Sequence, residues 1–555
     1  MKFRTVVFVL AAFTVVCAAV AQDEAAKGKG AKHHHYKVVV MAPFGGPTSS
    51  FDTAAGLPST GVTRILNQKG EEIAGADTPI PDPYGFVDGQ VNYVFRWQNG
   101  VQKNLGVLPQ NPVVGPQTAC YDCAWSTFAF WIADNGFVAG TSEDNAINPL
   151  TGLPASLAVL WKNNDEIVNL GTLGGMESQA AAVNNKRDVV GLAENSTMDP
   201  FPGRCPQDCE FLIFGNPTEV HAFLWGNGTM QDLGTLGGPD STALYVNDGG
   251  QVAGVSDVDY NTNASTGGPT VHPFIWENGT MHDLIADAPV GMFGGTQGMA
   301  AWLNERGRVT GTMNLPGDAT WHSFFWDRGV IQDLGTLGGI NTTAEAMNNA
   351  GSVVGRSDVT AICTACPSGN QLQLHHPFVW NNGVMTDLVL LPGDTAGNAS
   401  SINARNQVVG QTEQCTGVRS DDTCEATLYH AVLWENGSVV DLQTLLIPGS
   451  GIAISSANGE PHDINDRGEI SGQGPLPDGS MRAILLIPCD DSHPNVEGCD
   501  YSMVDADSVQ SSASATRRLT VTQPTASSPA QTVNSLRNRY MQRYRLNGQR
   551  PVAHD

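Results

Sequence analysis

Three sets of residues in this chain have the types and spacing to do chemistry. Of its 11 cysteines, all but Cys17 fall in five local pairs: Cys120 with Cys123, Cys205 with Cys209, Cys363 with Cys366, Cys415 with Cys424, and Cys489 with Cys499. In an exported chain such pairs read as disulfides pinning loops. CYDC and CTAC also have the spacing of a zinc knuckle, but four ligands would have to converge from distant segments in a compartment that oxidises thiols. The second set is the stretch SDVDYNTNAS, where Asp257, Asp259, Asn261 and Asn263 alternate like the first ligands of a calcium loop. Thr262 and Gly268 stand where that loop needs a glycine and an acid, so an ordinary, dispensable insertion is expected, with calcium as the lesser alternative and no cofactor.

The third set recurs. His221, His272, His322, His376 and His430 each open a segment of the type HAFLW, and Asp232, Asp283, Asp333, Asp387 and Asp441 each stand in a following MxDL-type segment. A ring of histidine ligands would require every imidazole to face one axis. A strand-edge His bonded to a neighbouring carbonyl, with the Asp capping a turn or pairing with that His, explains the pattern without a ligand. The repeated Trp97, Trp161, Trp225, Trp276, Trp326, Trp380 and Trp434 read as packing, since indoles bury large areas.

These residues ride on a repeat. HAFLWGNGTMQDLGTLGG from His221 is echoed on both sides, followed each time by a segment such as AAVNNKRDVVG or AEAMNNAGSVVG. A period of roughly 45 to 65 residues places the chain among blades and solenoids. The HAFLW runs are nearly continuously apolar, so both faces should be buried. Asn99-Gly100, Asn227-Gly228, Asn278-Gly279, Asn382-Gly383 and Asn436-Gly437 predict type I′ hairpins. Asn247, Asn304, Asn348 and Asn465 each precede a glycine by three residues, as a type I turn requires. Four short antiparallel strands per unit predict an all-β fold, a β-propeller of about eight four-stranded blades. The ends have complementary phases. YKVVVMAPFGG, residues 36–46, matches the MQDLGTLGG segment, and MRAILLIP, residues 481–488, matches HAFLW. An N-terminal strand should therefore complete the last blade; an open β-solenoid is the alternative.

The motif HAFLWxNGxMxDLGTLGG followed by AxxINxxGxVVG resembles the HAF-repeat family of extracellular bacterial repeat proteins over about residues 36–488. The resemblance implies an exported propeller-like protein and no particular activity. Leu157, Tyr93 and Arg482 replace the His, and Ala133 replaces the Asn, in individual copies.

In chain order, residues 1–21 read as a signal peptide with Ala19-Val20-Ala21 at its cleavage site; Val16 before Cys17 argues against lipidation. Residues 22–35, QDEAAKGKGAKHHH, read as a flexible leader in which His33, His34 and His35 are a solvated linker end. The repeat domain spans 36–488, a disulfide-pinned extension 489–504, and a Ser/Thr/Pro-rich disordered linker with a basic tail (Arg537, Arg539, Arg543, Arg545, Arg550) fills 505–555. No other apolar run is long enough to span a bilayer. Sixty-two glycines, 15% charged residues and a net charge of -26 fit a turn-rich β fold with an acidic surface, which argues against nucleic acid as a partner. GxSxG, HExxH, P-loop and dinucleotide motifs are absent from the sequence. The expectation is a monomeric, non-catalytic binding or scaffolding module, extracellular or periplasmic, with a protein or glycan ligand. The alternative is a secreted enzyme acting on glycans at the channel mouth.

Overall fold

A computed structural model describes residues 32–51, 63–83, 89–110, 113–149, 154–164, 166–201, 218–265, 267–364, 373–418, 424–456 and 459–505. The expected signal peptide, most of the leader, and the tail from residue 506 lie outside the described residues, as do Cys205, Cys209 and Cys366.

Each repeat folds into one antiparallel sheet because its turns leave no other register. Asn227 and Gly228 have φ of 53° and 85°, the double positive pair of a type I′ turn, and Asn99, Asn278, Asn382 and Asn436 repeat it with their glycines. Arg328 takes the same strained conformation in its blade, at φ 52°. In the second turn, Gly250 N donates to Asn247 O at 3.0 Å, and the copies at Asn304, Asn348 and Asn465 do likewise.

The result is an eight-bladed propeller. Blade 1 pairs Ser49–Ser50, Glu72–Pro81, Gln90–Gln98 and Val101–Asn104. Blade 2 pairs Thr127–Ile132, Val138–Ile147, Pro154–Trp161 and Glu166–Asn169, and Gly115–Thr118 adds a fifth strand to its outer edge. Blades 3 to 7 begin at Ser178–Val183, Ser241–Val246, Gly298–Leu303, Gly338–Met347 and Ala396–Ile402. Blade 8 takes Glu460–Ile464, Ile470–Pro475 and Met481–Pro488 from the C-terminal end and Tyr36–Val40 from the N-terminal end. The register of that last pair, from Tyr36 opposite Pro488 to Val40 opposite Ile484, is the closure the end phases predict.

One boundary moves. Lys32–His34, inside the expected 22–35 leader, is a strand paired with Met503–Asp505, so the 489–504 extension returns to clasp it. His33 is not a solvated linker end: it is fully buried, with Nδ1 2.7 Å from Glu435 Oε1 and Nε2 3.0 Å from Ser438 Oγ. Burial of an imidazole needs such partners on both nitrogens.

In blades 2 to 8 the first strand lies innermost, packed on its counterpart in the adjoining blade. In blades 2 to 7 this strand carries a β-bulge, as between Ala243 and Tyr245. The bulge pushes a carbonyl towards the second strand and explains the glycine of VxG. A Cβ on Gly254 would lie 2.0 Å from Thr242 O, and the equivalent glycines face the same obstruction. The tryptophan opposite the second strand is buried in seven blades, as expected.

Candidate functional site

The antiparallel order divides the disc into two faces. One carries the tight Asn-based turns; the other carries the connections from second to third strand and from each blade to the next. Among the described cysteines, Cys120 and Cys123 in the connection from blade 1 to blade 2, and Cys363 after the second strand of blade 6, belong to the second, insertion-bearing face. Cys120 and Cys123 are disulfide-bonded, with S–S 2.08 Å, as are Cys489 and Cys499, with S–S 2.06 Å. Cys363 and Cys415 are also disulfide-bonded, and both are buried. Cys120, Asp122 and Cys123 are, among the described residues, the one group of three such side chains within reach of a single ion. Their sulfurs are spent on the disulfide, so they offer no thiolate to zinc.

The recurrent histidines do not face the axis. His221, His272, His322 and His376 each donate from Nδ1 to the aspartate eleven residues on, at 2.8 to 2.9 Å to the nearer carboxylate oxygen. In three copies the same aspartate accepts a backbone amide two residues further, as Asp232 does from Gly234. Burial pulls the His221 pKa down, but the hydrogen bond and charge of Asp232, with Glu219 and Asp240, outweigh it and hold it above the ordinary value. His430 departs: it bonds Asp394 at 2.9 Å, and Asp441 instead caps the short helix Leu442–Leu445. The repeats themselves carried a signal for this pairing. Tyr93 and Leu157, which replace His, face blades whose aspartate is Asn104 or Asn169. These histidines are structural, a role that five copies at the same strand edge express.

The axis is closed. Trp131, Tyr245 and Trp302 come from the inner strands of blades 2, 4 and 5, and their ring centroids lie 5.7 to 6.0 Å apart. Blades 2 and 5 are not neighbours, so these rings meet across the channel as an aromatic plug between those blades. Towards the turn face, Arg64 forms an ion pair with Asp134 and acts on Glu305 of blade 5. Around the plug runs a belt of buried asparagine amides. Asn184 Nδ2 donates to Asn247 O, Asn247 to Asn304, Asn304 to Asn348, Asn348 to Asn403, Asn403 to Asn465, Asn465 to Asn67 and Asn67 to Ala133, at 2.9 to 3.1 Å. Ala133 has no amide to pass on, and there the belt stops. Asn135, two residues later, bridges the gap, donating to Asn185 O.

On the insertion face the acids gather between blades 3 and 4. Asp199, Glu219, Asp240 and Asp257 are all buried, and Tyr260 donates to Glu219 Oε1 at 3.0 Å. Asp240 Oδ1 accepts the Val220 amide at 2.8 Å; Asp240 Oδ2 and Asp257 Oδ2 are buried without a hydrogen-bond partner. Burial, with Asp240 and other carboxylates nearby, pushes Asp257 up to about 9; burial likewise pushes Asp240 up to about 8, against the Val220 hydrogen bond. The side chains of the lesser alternative, a calcium loop, do not converge. Asp257 is 1% exposed at a strand end, Asp259 turns back on Asn261 N and Nδ2, and Asn263 bonds Ser265 N and Pro269 O. No three of these carboxylates come within reach of one ion. A groove of about 1180 Å³ lies between blades 4 and 5 on the turn face, lined among others by His282, Arg306, Arg308, Trp326 and Arg328.

No family model matches the chain, and no curated protein matches it. Several solved structures are similar in fold. A puromycin-hydrolyzing peptidase of Mycobacterium tuberculosis is 13% identical with a TM-score of 0.36, over 79% of this chain. This chain spans 62% of that peptidase's length. The β-propeller domain of the Trilobed protease of Pyrococcus furiosus is 9% identical, TM-score 0.35, over 68% of this chain and 94% of its own. TolB of Acinetobacter baumannii is 10% identical, TM-score 0.27, over 65% of this chain and 79% of its own. None of these likenesses bears on activity.

Proposed function

We propose that the protein is an exported, non-catalytic binding or scaffolding module, a member of the HAF-repeat family whose motif its blades resemble, and that it presents its insertion-bearing face to a protein or glycan ligand. The aromatic plug carries this reading. An enzyme of the alternative kind would use the channel mouth, and Trp131, Tyr245 and Trp302 occupy that axis with rings packed on each other. The repeat chemistry, from the His–Asp pairs to the amide belt, is committed to holding the blades together. What varies from blade to blade is the connection between second and third strand, and variable loops on a rigid frame are where binding resides. Disulfides at Cys120–Cys123 and Cys489–Cys499 fit an oxidising compartment. Among the described residues no helix is long and apolar enough to cross a membrane.

The purified protein should retain a component of a glycan array or envelope extract and release it unchanged. Replacing residues 259–268 with a short Gly/Ser linker, or another insertion in turn, should abolish retention while the melting of the blades persists. Turnover of the retained component, with loss of activity on opening the plug by Trp302→Ala, would favour the enzyme.

A further inference from the structure

Blades 4 and 6 solve the same packing problem with different chemistry. In blade 6, Asn341 precedes the inner strand residue Thr342, which pairs with Ser357. The Asn341 side chain accepts the Trp321 amide through Oδ1 and donates through Nδ2 to Asp358 Oδ2 at 2.9 Å. In blade 4, Ser241 pairs with Ser256 in the same register, and Asp240 accepts the Val220 amide through Oδ1 as Asn341 accepts that of Trp321. Asp257 stands where Asp358 stands: the glycine preceding each blade, Gly238 or Gly339, places a Cβ position 2.4 Å from its Cβ. Where blade 6 has an N–H donor facing an acceptor, blade 4 therefore has two carboxylate oxygens, both buried without a partner.

Two such oxygens out of water need something positive between them. A metal would need a fuller ligand set, and among the described residues no third carboxylate closes to within reach. A proton needs only the two. We propose that Asp240 and Asp257 share a proton, and that this proton is a latch: it holds the root of the 258–270 connection against blade 3, and its loss in alkali frees that connection. This goes beyond the proposed function and does not depend on what the face binds.

The surroundings agree. Among the described residues, the groups facing the pair are Asp199, Glu219 and His221 from blade 3, and Asp259 and Tyr260 from the connection itself. Of these only His221 brings positive charge, and Asp232 already holds it. Asp257 ends its strand one residue before the connection begins. Tyr260 ties the same connection to Glu219. When both aspartates ionise, their repulsion acts at the root and the Tyr260 contact goes with it. The sign for stability follows from the raised values. The folded state keeps protons that the unfolded state loses near the ordinary aspartate range, so the pair's contribution declines with rising pH up to about 8 to 9, where the folded protein also ionises.

The test is amide hydrogen exchange of residues 258–270 in the full-length protein, corrected for intrinsic rate, from about pH 6 to about pH 10. Protection of this connection should fall about ten-fold or more across the range, while the strands of blade 6 keep theirs. Asp240→Asn, which recreates the amide–carboxylate pair of Asn341 and Asp358, should hold the connection at every pH; Asp257→Asn is the companion should the first variant not fold. Unchanged protection in the wild type, or the same pH response in a folded variant, would overturn the proposal. So would protection that follows added calcium rather than pH.

Discussion

Asn465 in blade 8 donates its Nδ2 proton to the carbonyl oxygen of Asn67 in blade 1, 3.0 Å away across 398 residues of sequence. Each asparagine of the belt also accepts backbone amides of its own turn through Oδ1, as Asn465 does from Arg467 and Glu469. One side chain thus shapes a turn and joins two blades. Asn465→Ala should cost about 1 to 3 kcal/mol, because it strands buried backbone groups as well as removing a bond. Ala133→Asn should do the opposite, supplying the missing link for a gain of about 1 kcal/mol. Urea unfolding of both variants checks the pair of signs.

Glu72 stands where seven other blades have Val or Ile in the second strand, as in the pairs Val189 with Trp225 and Val252 with Trp276. It is fully buried with neither carboxylate oxygen hydrogen-bonded, and burial, with Asp463 and Glu469 of blade 8 nearby, raises its pKa well above the usual glutamate value. Glu72→Val should raise stability by about 1 to 3 kcal/mol. The folded state holds a proton that the unfolded state sheds, so the wild type loses stability as pH climbs above the ordinary glutamate range. The gain on substitution should therefore be larger in neutral than in acidic buffer, and melting at the two pH values reads it.

Two glycines separate two kinds of constraint. Gly279→Ala adds a methyl at φ 83° into open space and should cost about 1 to 2 kcal/mol of backbone strain. Gly254→Ala drives a Cβ to 2.0 Å from the Thr242 carbonyl and should cost more, since the bulge itself has to move. Equal melting of the two would remove the bulge as the reason for VxG.

The strands and their ends were legible because turn chemistry is local: Asn-Gly pairs need no knowledge of the partner blade. The complementary phases of residues 36–46 and 481–488 carried closure for the same reason. What escaped is what depends on a partner far away in sequence. His33 reads as a linker because Glu435 lies 402 residues on. Asp257 reads as the first ligand of a loop because nothing local shows that it ends a strand buried against Asp240. The amide belt lay between: the asparagines were visible as turn formers, but their outward amides meet carbonyls only once the ring closes. Export, the 205–209 cysteine pair and the basic tail concern residues outside those the structure describes, and they stand as proposals.

Reduction offers a further check on the clasp. Cys489–Cys499 closes a loop at the base of the extension that pairs with Lys32–His34. Cys499→Ser should destabilise by about 2 to 3 kcal/mol, and exchange of the residue 32–34 amides should quicken. An unaltered clasp would separate the disulfide from it.

Closure is the central claim, and deletion of residues 1–46 tests it most directly. That deletion removes the fourth strand of blade 8 and leaves Met481–Pro488 as an open edge. The closed ring predicts a lower melting temperature for the whole domain in one transition, with hydrogen exchange quickened in blades 1 and 8 together. Unchanged melting, or loss confined to blade 1 while blade 8 keeps its protection, would contradict it.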